Sequence, residues 1–136
     1  MPNITNISHV AIVVEDIEAS LSFWRDALGI EVTDVKDVPA EGAKIAFLPV
    51  GGSEIELVQP VKHGLGVFRF LEKRGPGMHH ICLQVDNIEG MLEELNKKGV
   101  HLINQTPQVN SDGKKYAFIH PHSTQGVLVE LYELPE

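Results

Sequence analysis

The 136-residue sequence has one cysteine, Cys82, which excludes an internal disulfide and with it the stapled scaffolds of small secreted domains. It has no apolar run near the ~20 residues that a membrane-spanning helix needs. No basic stretch with an apolar core precedes Ser8, so the sequence predicts a soluble, cytoplasmic protein with no membrane partner. Basic residues are few: 11 Lys and Arg stand against 19 Asp and Glu, for a net charge of -8. They are scattered and form no stripe, which argues against a phosphate-backbone footprint and against nucleic acid as a partner. There is no phosphate-binding glycine loop, no dinucleotide turn and no nucleophile elbow. The length suits a single domain, residues 1–136, with one shared core.

What the sequence does have is a duplication. The run Ser8-His9-Val10-Ala11-Ile12-Val13-Val14-Glu15-Asp16-Ile17-Glu18 returns 71 residues later as His79-His80-Ile81-Cys82-Leu83-Gln84-Val85-Asp86-Asn87-Ile88-Glu89. Lys44-Ile45-Ala46-Phe47-Leu48 returns at the same offset as Lys115-Tyr116-Ala117-Phe118-Ile119. After three extra residues in the second copy, Ile55-Glu56-Leu57 returns as Val129-Glu130-Leu131. The repeats cover about 5–60 and 77–134, with a linker over 61–76. Half of such a chain is marginal alone, so the copies are expected to share one core.

Each copy carries the same local signals. Ile7 to Val14 is a short β-branched run, read as a strand with His9, Ala11 and Val13 on one face. The period then turns helical through Ile17, Leu21, Trp24 and Leu28, with Asp16 placed as the cap and Gly29 as the stop. The second copy reads as a strand from His80 to Val85, a cap at Asn87 and a stop at Gly99. Strands are predicted after each helix, over Glu31 to Val35, Lys44 to Val50 and Glu54 to Val58, then His101 to Ile103, Lys115 to Ile119 and Val127 to Tyr132. Val67, Phe70, Leu71 and Arg74 predict a short linking helix. Each half is thus βαβββ, an α+β arrangement.

The duplication supplies one matched His and one matched Glu per copy: His9 with His80, and Glu56 with Glu130. Imidazole and carboxylate together suit borderline divalent metals, and four protein ligands leave room on an octahedral ion. A carboxylate set among apolar strand neighbours is costly to bury unless a cation or hydrogen-bonding partner meets it. Glu54 has Leu128 as its counterpart and reads as a strand-end surface residue. His79 points away from the His80 face by alternation, toward packing. His63, His101, His120 and His122 have no matched His and read as loop or surface residues, and Cys82 reads as a small packed hydrophobe. Lys44, Lys114 and Lys115 are candidates to meet phosphates.

On these residues, and on the block Phe70-Leu71-Glu72-Lys73-Arg74-Gly75-Pro76-Gly77-Met78-His79-His80-Ile81 with His120-Pro121-His122-Ser123-Thr124-Gln125-Gly126-Val127, the chain resembles the vicinal oxygen chelate superfamily, and within it the methylmalonyl-CoA epimerase family. The resemblance covers nearly the whole chain. It implies two tandem βαβββ modules forming a cupped, incompletely closed mixed sheet around a metal held by His9, Glu56, His80 and Glu130, and a homodimer. It further implies a divalent ion such as cobalt, nickel, manganese or zinc, and a malonyl-type acyl-CoA substrate epimerised through a metal-stabilised enolate.

Such a reaction needs an acid/base group on each face of the planar intermediate. The resemblance gives one face to Glu130 and the other to an acid in a Pro-Glu-x-Gly-Val segment. This chain reads Pro39-Ala40-Glu41-Gly42-Ala43, with Ala40 at the acid's position and Glu41 one residue on. Either the loop brings Glu41 into place, or another group serves, or the two-base reaction is lost. The alternatives to an epimerase are a glyoxalase I-type lactoylglutathione lyase using the same ligands, and a non-catalytic ligand-binding protein of the same fold.

Overall fold

β-Branched alternation carries the chain through β1 (Ile4–Val13). The Asp16 side chain then accepts a hydrogen bond from the Glu18 amide and starts α1 (Ile17–Leu21). There follow β2 (Asp34–Val38), β3 (Ala43–Val50), β4 (Ser53–Pro60), α2 (Gly66–Arg74), β5 (Gly77–Val85), α3 (Ile88–Lys97), β6 (Gln108–Val109), β7 (Lys115–Ile119) and β8 (Val129–Glu133). The structure, a computed structural model, describes residues 2–135. The chain divides into two compact units, residues 9–79 and the residues up to 8 together with those from 80 onward. Among the described residues no helix is long and apolar enough to cross a membrane.

In the 9–79 unit the strands pair in the order β2-β3-β4-β1, antiparallel up to β4 and parallel between β4 and β1. β1, β3 and β4 carry buried apolar residues on both faces, whereas β2 at the edge is charged and exposed. Val14, Ile17, Leu21, Ala46, Leu48 and Leu57 form one core beneath α1. Ala11, Val13, Ala43, Ile45 and Val58 form another, packed against Val67, Phe70 and Leu71 of α2.

The C-terminal unit repeats the order as β6-β7-β8-β5, again antiparallel up to β8 and parallel between β8 and β5. Its core joins Val85, Ile88, Leu92, Leu102, Ala117, Ile119 and Leu131 beneath α3. α3 starts as α1 does: the Asn87 side chain accepts from the Gly90 amide. Both helical segments stop at a glycine in the left-handed region, Gly29 at φ 82 and Gly99 at φ 81.

A second twinned device ties each helix to its sheet. Gln59 Oε1 accepts from the Ile17 amide at 2.9 Å, and Glu133 Oε1 accepts from the Ile88 amide at 2.8 Å. Each acceptor meets a helix N-terminal amide that has no partner inside the helix. Glu133→Ala is therefore expected to destabilise by about 1–2 kcal/mol, whereas Glu133→Gln, which restores the residue type of Gln59, retains most of the stability. Urea unfolding midpoints check this; equal losses in the two variants contradict it.

β1 and β5 each begin three residues before the predicted strands, and four other boundaries move for local reasons. The helix read from Ile17 to Leu28 is α-helical only to Leu21, and Ser22–Ala27 forms a wider π-type turn in which the Leu28 amide donates to the Phe23 carbonyl. The widened turn shifts the spacing and leaves Leu28 at the surface. The strand predicted over Glu31 to Val35 begins three residues later, because Ile30 and Val32 are used in packing on the α1 core. Over His101 to Ile103 only Leu102 bridges, to Ile119. The Asn104 side chain takes the Phe118 amide there, at 2.8 Å, in place of a further ladder bond, and the strand forms instead at β6. β8 starts at Val129 and not Val127, whose amide is held by Thr124 Oγ1.

Candidate metal centre

Register explains how each half brings its His and Glu together. In the 9–79 unit, Ala11 of β1 stands opposite Glu56 of β4, with His9 two residues back on the same face. In the C-terminal unit, Cys82 of β5 stands opposite Glu130 of β8, with His80 two residues back. The residue facing each glutamate is thus small and fully buried, Ala11 and Cys82 at 0% exposure, which leaves room for the diagonal pair to close. His9 Nδ1 lies 3.4 Å from Glu56 Oε2, and His80 Nε2 lies 3.1 Å from Glu130 Oε1. All four side chains are only 10–13% exposed.

The other neighbour of each glutamate is a phenylalanine: Phe47 opposite Glu56 in β3, and Phe118 opposite Glu130 in β7. The Phe118 ring meets His80 edge-on at 5.8 Å. Each half therefore sets one imidazole nitrogen and one carboxylate oxygen side by side against aromatic and apolar walls, where charge–charge and charge–dipole interactions are strengthened. A nitrogen and oxygen donor set of this kind fits a borderline divalent metal. Ala11, Cys82, Phe47 and Phe118 are parts of the site that composition did not single out, although the repeat does match Ala11 with Cys82 and Phe47 with Phe118.

Glu41 ends a single 3₁₀ turn, Pro39–Glu41, and is exposed together with Ala40. Gly42 closes the turn at φ 62, and a Cβ there would come within 2.7 Å of Leu65 Cδ1. The Val61 and Lys62 amides both donate to the Gly42 carbonyl, so the turn is pinned against the segment that enters α2. Glu41 lies six residues before Phe47, at the approach to the strand that flanks Glu56.

The remaining histidines make local contacts. His79 packs on Phe70 of α2 at 5.1 Å, and His63 on Phe68 at 4.0 Å. His101 and His120 stack at 4.4 Å, while the exposed His122 donates its amide to His120 Nδ1. Glu54, read as a strand-end surface residue, lies near the start of β4 opposite His9 and is partly exposed. Among the candidate lysines, Lys44 is exposed and Lys115 is committed to Glu89 at 2.8 Å and Glu133 at 3.9 Å. The Lys115 hydrogen bond holds the Glu89 carboxyl below its usual range. Lys114 turns the other way, with Nζ 5.4 Å from the Tyr132 ring centre.

Residues 8–118 match the model of the glyoxalase/bleomycin resistance protein/dioxygenase superfamily. The chain is 37% identical to the mitochondrial methylmalonyl-CoA epimerase of Mus musculus, over 92% of this chain and 71% of that protein. A solved hypothetical protein from Bacillus halodurans is 38% identical and superposes with a TM-score of 0.90, covering 96% of this chain and 95% of the other. A methylmalonyl-CoA epimerase solved in complex with methylmalonyl-CoA and NH4+ is 29% identical with a TM-score of 0.87, covering 97% and 96%. By contrast, the similarity to a probable lactoylglutathione lyase of Synechocystis is 26% over 92% of each chain. With its twinned His–Glu strands, repeated βαβββ order and matches that run almost end to end, this chain belongs to the glyoxalase/bleomycin resistance protein/dioxygenase superfamily and, within it, to the methylmalonyl-CoA epimerase family.

Proposed function

We propose that this chain is a metal-dependent epimerase that inverts the α-carbon of methylmalonyl-CoA or a similar malonyl-type acyl-CoA. The observation that carries the reading is the twinned pair: each half sets a nearly buried imidazole against a nearly buried carboxylate whose ladder neighbours are a small, fully buried residue and a phenylalanine. Family membership supports it, as does the name of the relative that aligns over most of this chain.

His9, Glu56, His80 and Glu130 are the ligand set, two nitrogens and two oxygens suited to one cobalt, nickel, manganese or zinc ion. Bound there, such an ion would supply Lewis-acid polarisation of the acyl oxygen. The proton work falls to side chains. Glu130 serves one face of the planar intermediate and Glu41 the other, one removing the α-proton while the other returns a proton from the opposite side. Phe47 and Phe118 stand opposite Glu56 and Glu130 and give the two candidate ligands apolar flanks, where their interaction with a cation is strengthened. A homodimer in the cytoplasm is part of the same proposal, supported by the family resemblance.

The test uses protein stripped by a chelator and reloaded with one metal at a time, incubated with a single methylmalonyl-CoA epimer in deuterated water. Reloaded protein should place deuterium at the α-carbon and produce the other epimer, and stripped protein should be slower by about a hundredfold or more. Absence of exchange with all four metals contradicts the reading.

A further inference from the structure

The two halves differ where they should match. In the 9–79 unit, Val13, Ala43, Ile45 and Val58 share the face of His9 and Glu56 and are buried beneath α2. Their counterparts at the repeat offsets are Gln84, Lys114, Tyr116 and Tyr132. An apolar core patch in one copy has become a polar patch in the other, although the same strand order needs no such change.

The geometry of this patch is defined by the ladder. Gln84 and Tyr116 stand on either side of Tyr132. Tyr132 lies two residues past Glu130 on the same face, about 7 Å along β8. Lys114 donates a hydrogen bond to the Tyr132 phenol and sits over its ring at 5.4 Å. Its backbone is fixed by Asn110, whose side chain accepts the Lys114 amide at 3.0 Å and whose amide donates to the Lys114 carbonyl at 2.9 Å. Tyr132 thus stands on one strand face between Lys114 and the Glu130 carboxylate of the candidate metal centre. Lys115, the next residue, faces the other way and is neutralised by Glu89 and Glu133.

We infer that Lys114, aimed by Tyr132, is a binding residue for an anionic oxygen group of the substrate, the free carboxylate of the acyl unit. This rests on the epimerase reading and deepens it: Lys114 selects dicarboxylic acyl thioesters over neutral ones. A terminal ammonium presented from a pinned turn over a half-buried ring loses little freedom when it meets a carboxylate, and a charge-assisted hydrogen bond in such a place is strong. The same ammonium could otherwise meet a CoA phosphate, and the two sources of charge are separable.

The experiment is calorimetric titration of the metal-loaded protein with methylmalonyl-CoA and with propionyl-CoA, which has the same CoA and thioester without the carboxylate. Lys114→Gln should weaken methylmalonyl-CoA binding by about 10- to 100-fold and raise KM with kcat nearly preserved. Propionyl-CoA binding should be unchanged, and Lys114→Arg should restore most of the loss. Equal binding of methylmalonyl-CoA by wild type and Lys114→Gln overturns the assignment, as does equal weakening of both ligands, which would put a CoA phosphate at Lys114. In either case wild-type epimerisation still stands on its own test. Wild-type protein that neither epimerises methylmalonyl-CoA nor prefers it to propionyl-CoA overturns both.

Discussion

Replacing Glu130 by Gln is expected to leave the chain folded and able to hold metal, yet to slow epimerisation by about 10²- to 10⁴-fold. Glu130 has two tasks in the proposed mechanism, and the amide separates them. Its side-chain oxygen keeps an acceptor beside His80, which now lies 3.1 Å from Glu130 Oε1, so the nearly buried imidazole is not stranded. The amide oxygen also remains a possible ligand. What it cannot do is take a proton from carbon, and that loss falls on kcat because the interaction exists only in the transition state. Glu130→Ala, by contrast, opens a gap between Cys82 and Phe118, its two ladder neighbours, and removes a ligand outright. Elemental analysis with single-turnover rates distinguishes the two. Glu130→Gln with metal bound and a rate within tenfold of wild type would remove Glu130 from the proton path.

Glu41→Gln should have an effect of similar size and a more specific signature. If each face has its own carboxylate, a chain that lacks one can still remove the proton that faces the other. Glu41→Gln is therefore expected to lose inversion by about 10²- to 10⁴-fold. It should still exchange the α-proton of one epimer for deuterium with retention of configuration, while the other epimer stays inert. Glu56, a ligand in this scheme, has no such epimer-selective phenotype. Nuclear magnetic resonance of each pure epimer in deuterated water reads both outcomes at once. Loss of exchange from both epimers alike, or no loss at all, assigns the second face to another group. The exposed position of Glu41 at the end of its turn makes the measurement pointed, because a surface carboxylate with no chemical task tolerates this change.

The metal-ligand candidates were legible because duplication turns two weak signals into one strong one. A His in a strand means little, but His9 and His80 recur at one offset, and the ladder then sets each diagonally to its glutamate. Of the small residues facing those glutamates, Cys82 was legible as a packed hydrophobe and Ala11 carried no signal of its own, since their role is to be small and only the register makes that matter. Tyr132 was hidden for the opposite reason, and Lys114 was legible only as one of three lysines that could meet a phosphate: both lie where the repeats diverge, and a search for matched residues passes over a site built from mismatch. The shorter α1 was also illegible, since Ile17, Leu21, Trp24 and Leu28 fit an α-helical stripe while the chain widens after Leu21. β2 and β6 are short strands whose limits depend on tertiary packing and on side chains such as Asn104, and local β propensity does not encode those.

The central claim is that both His–Glu pairs serve one ion. Metal content per chain, measured by mass spectrometry of equilibrated protein, tests it most directly. Wild type should hold one divalent ion per chain, and His9→Ala and His80→Ala should each lose it, with affinity falling by about a hundredfold or more. Two ions per chain, with each variant losing only one, would contradict it by making the pairs separate sites.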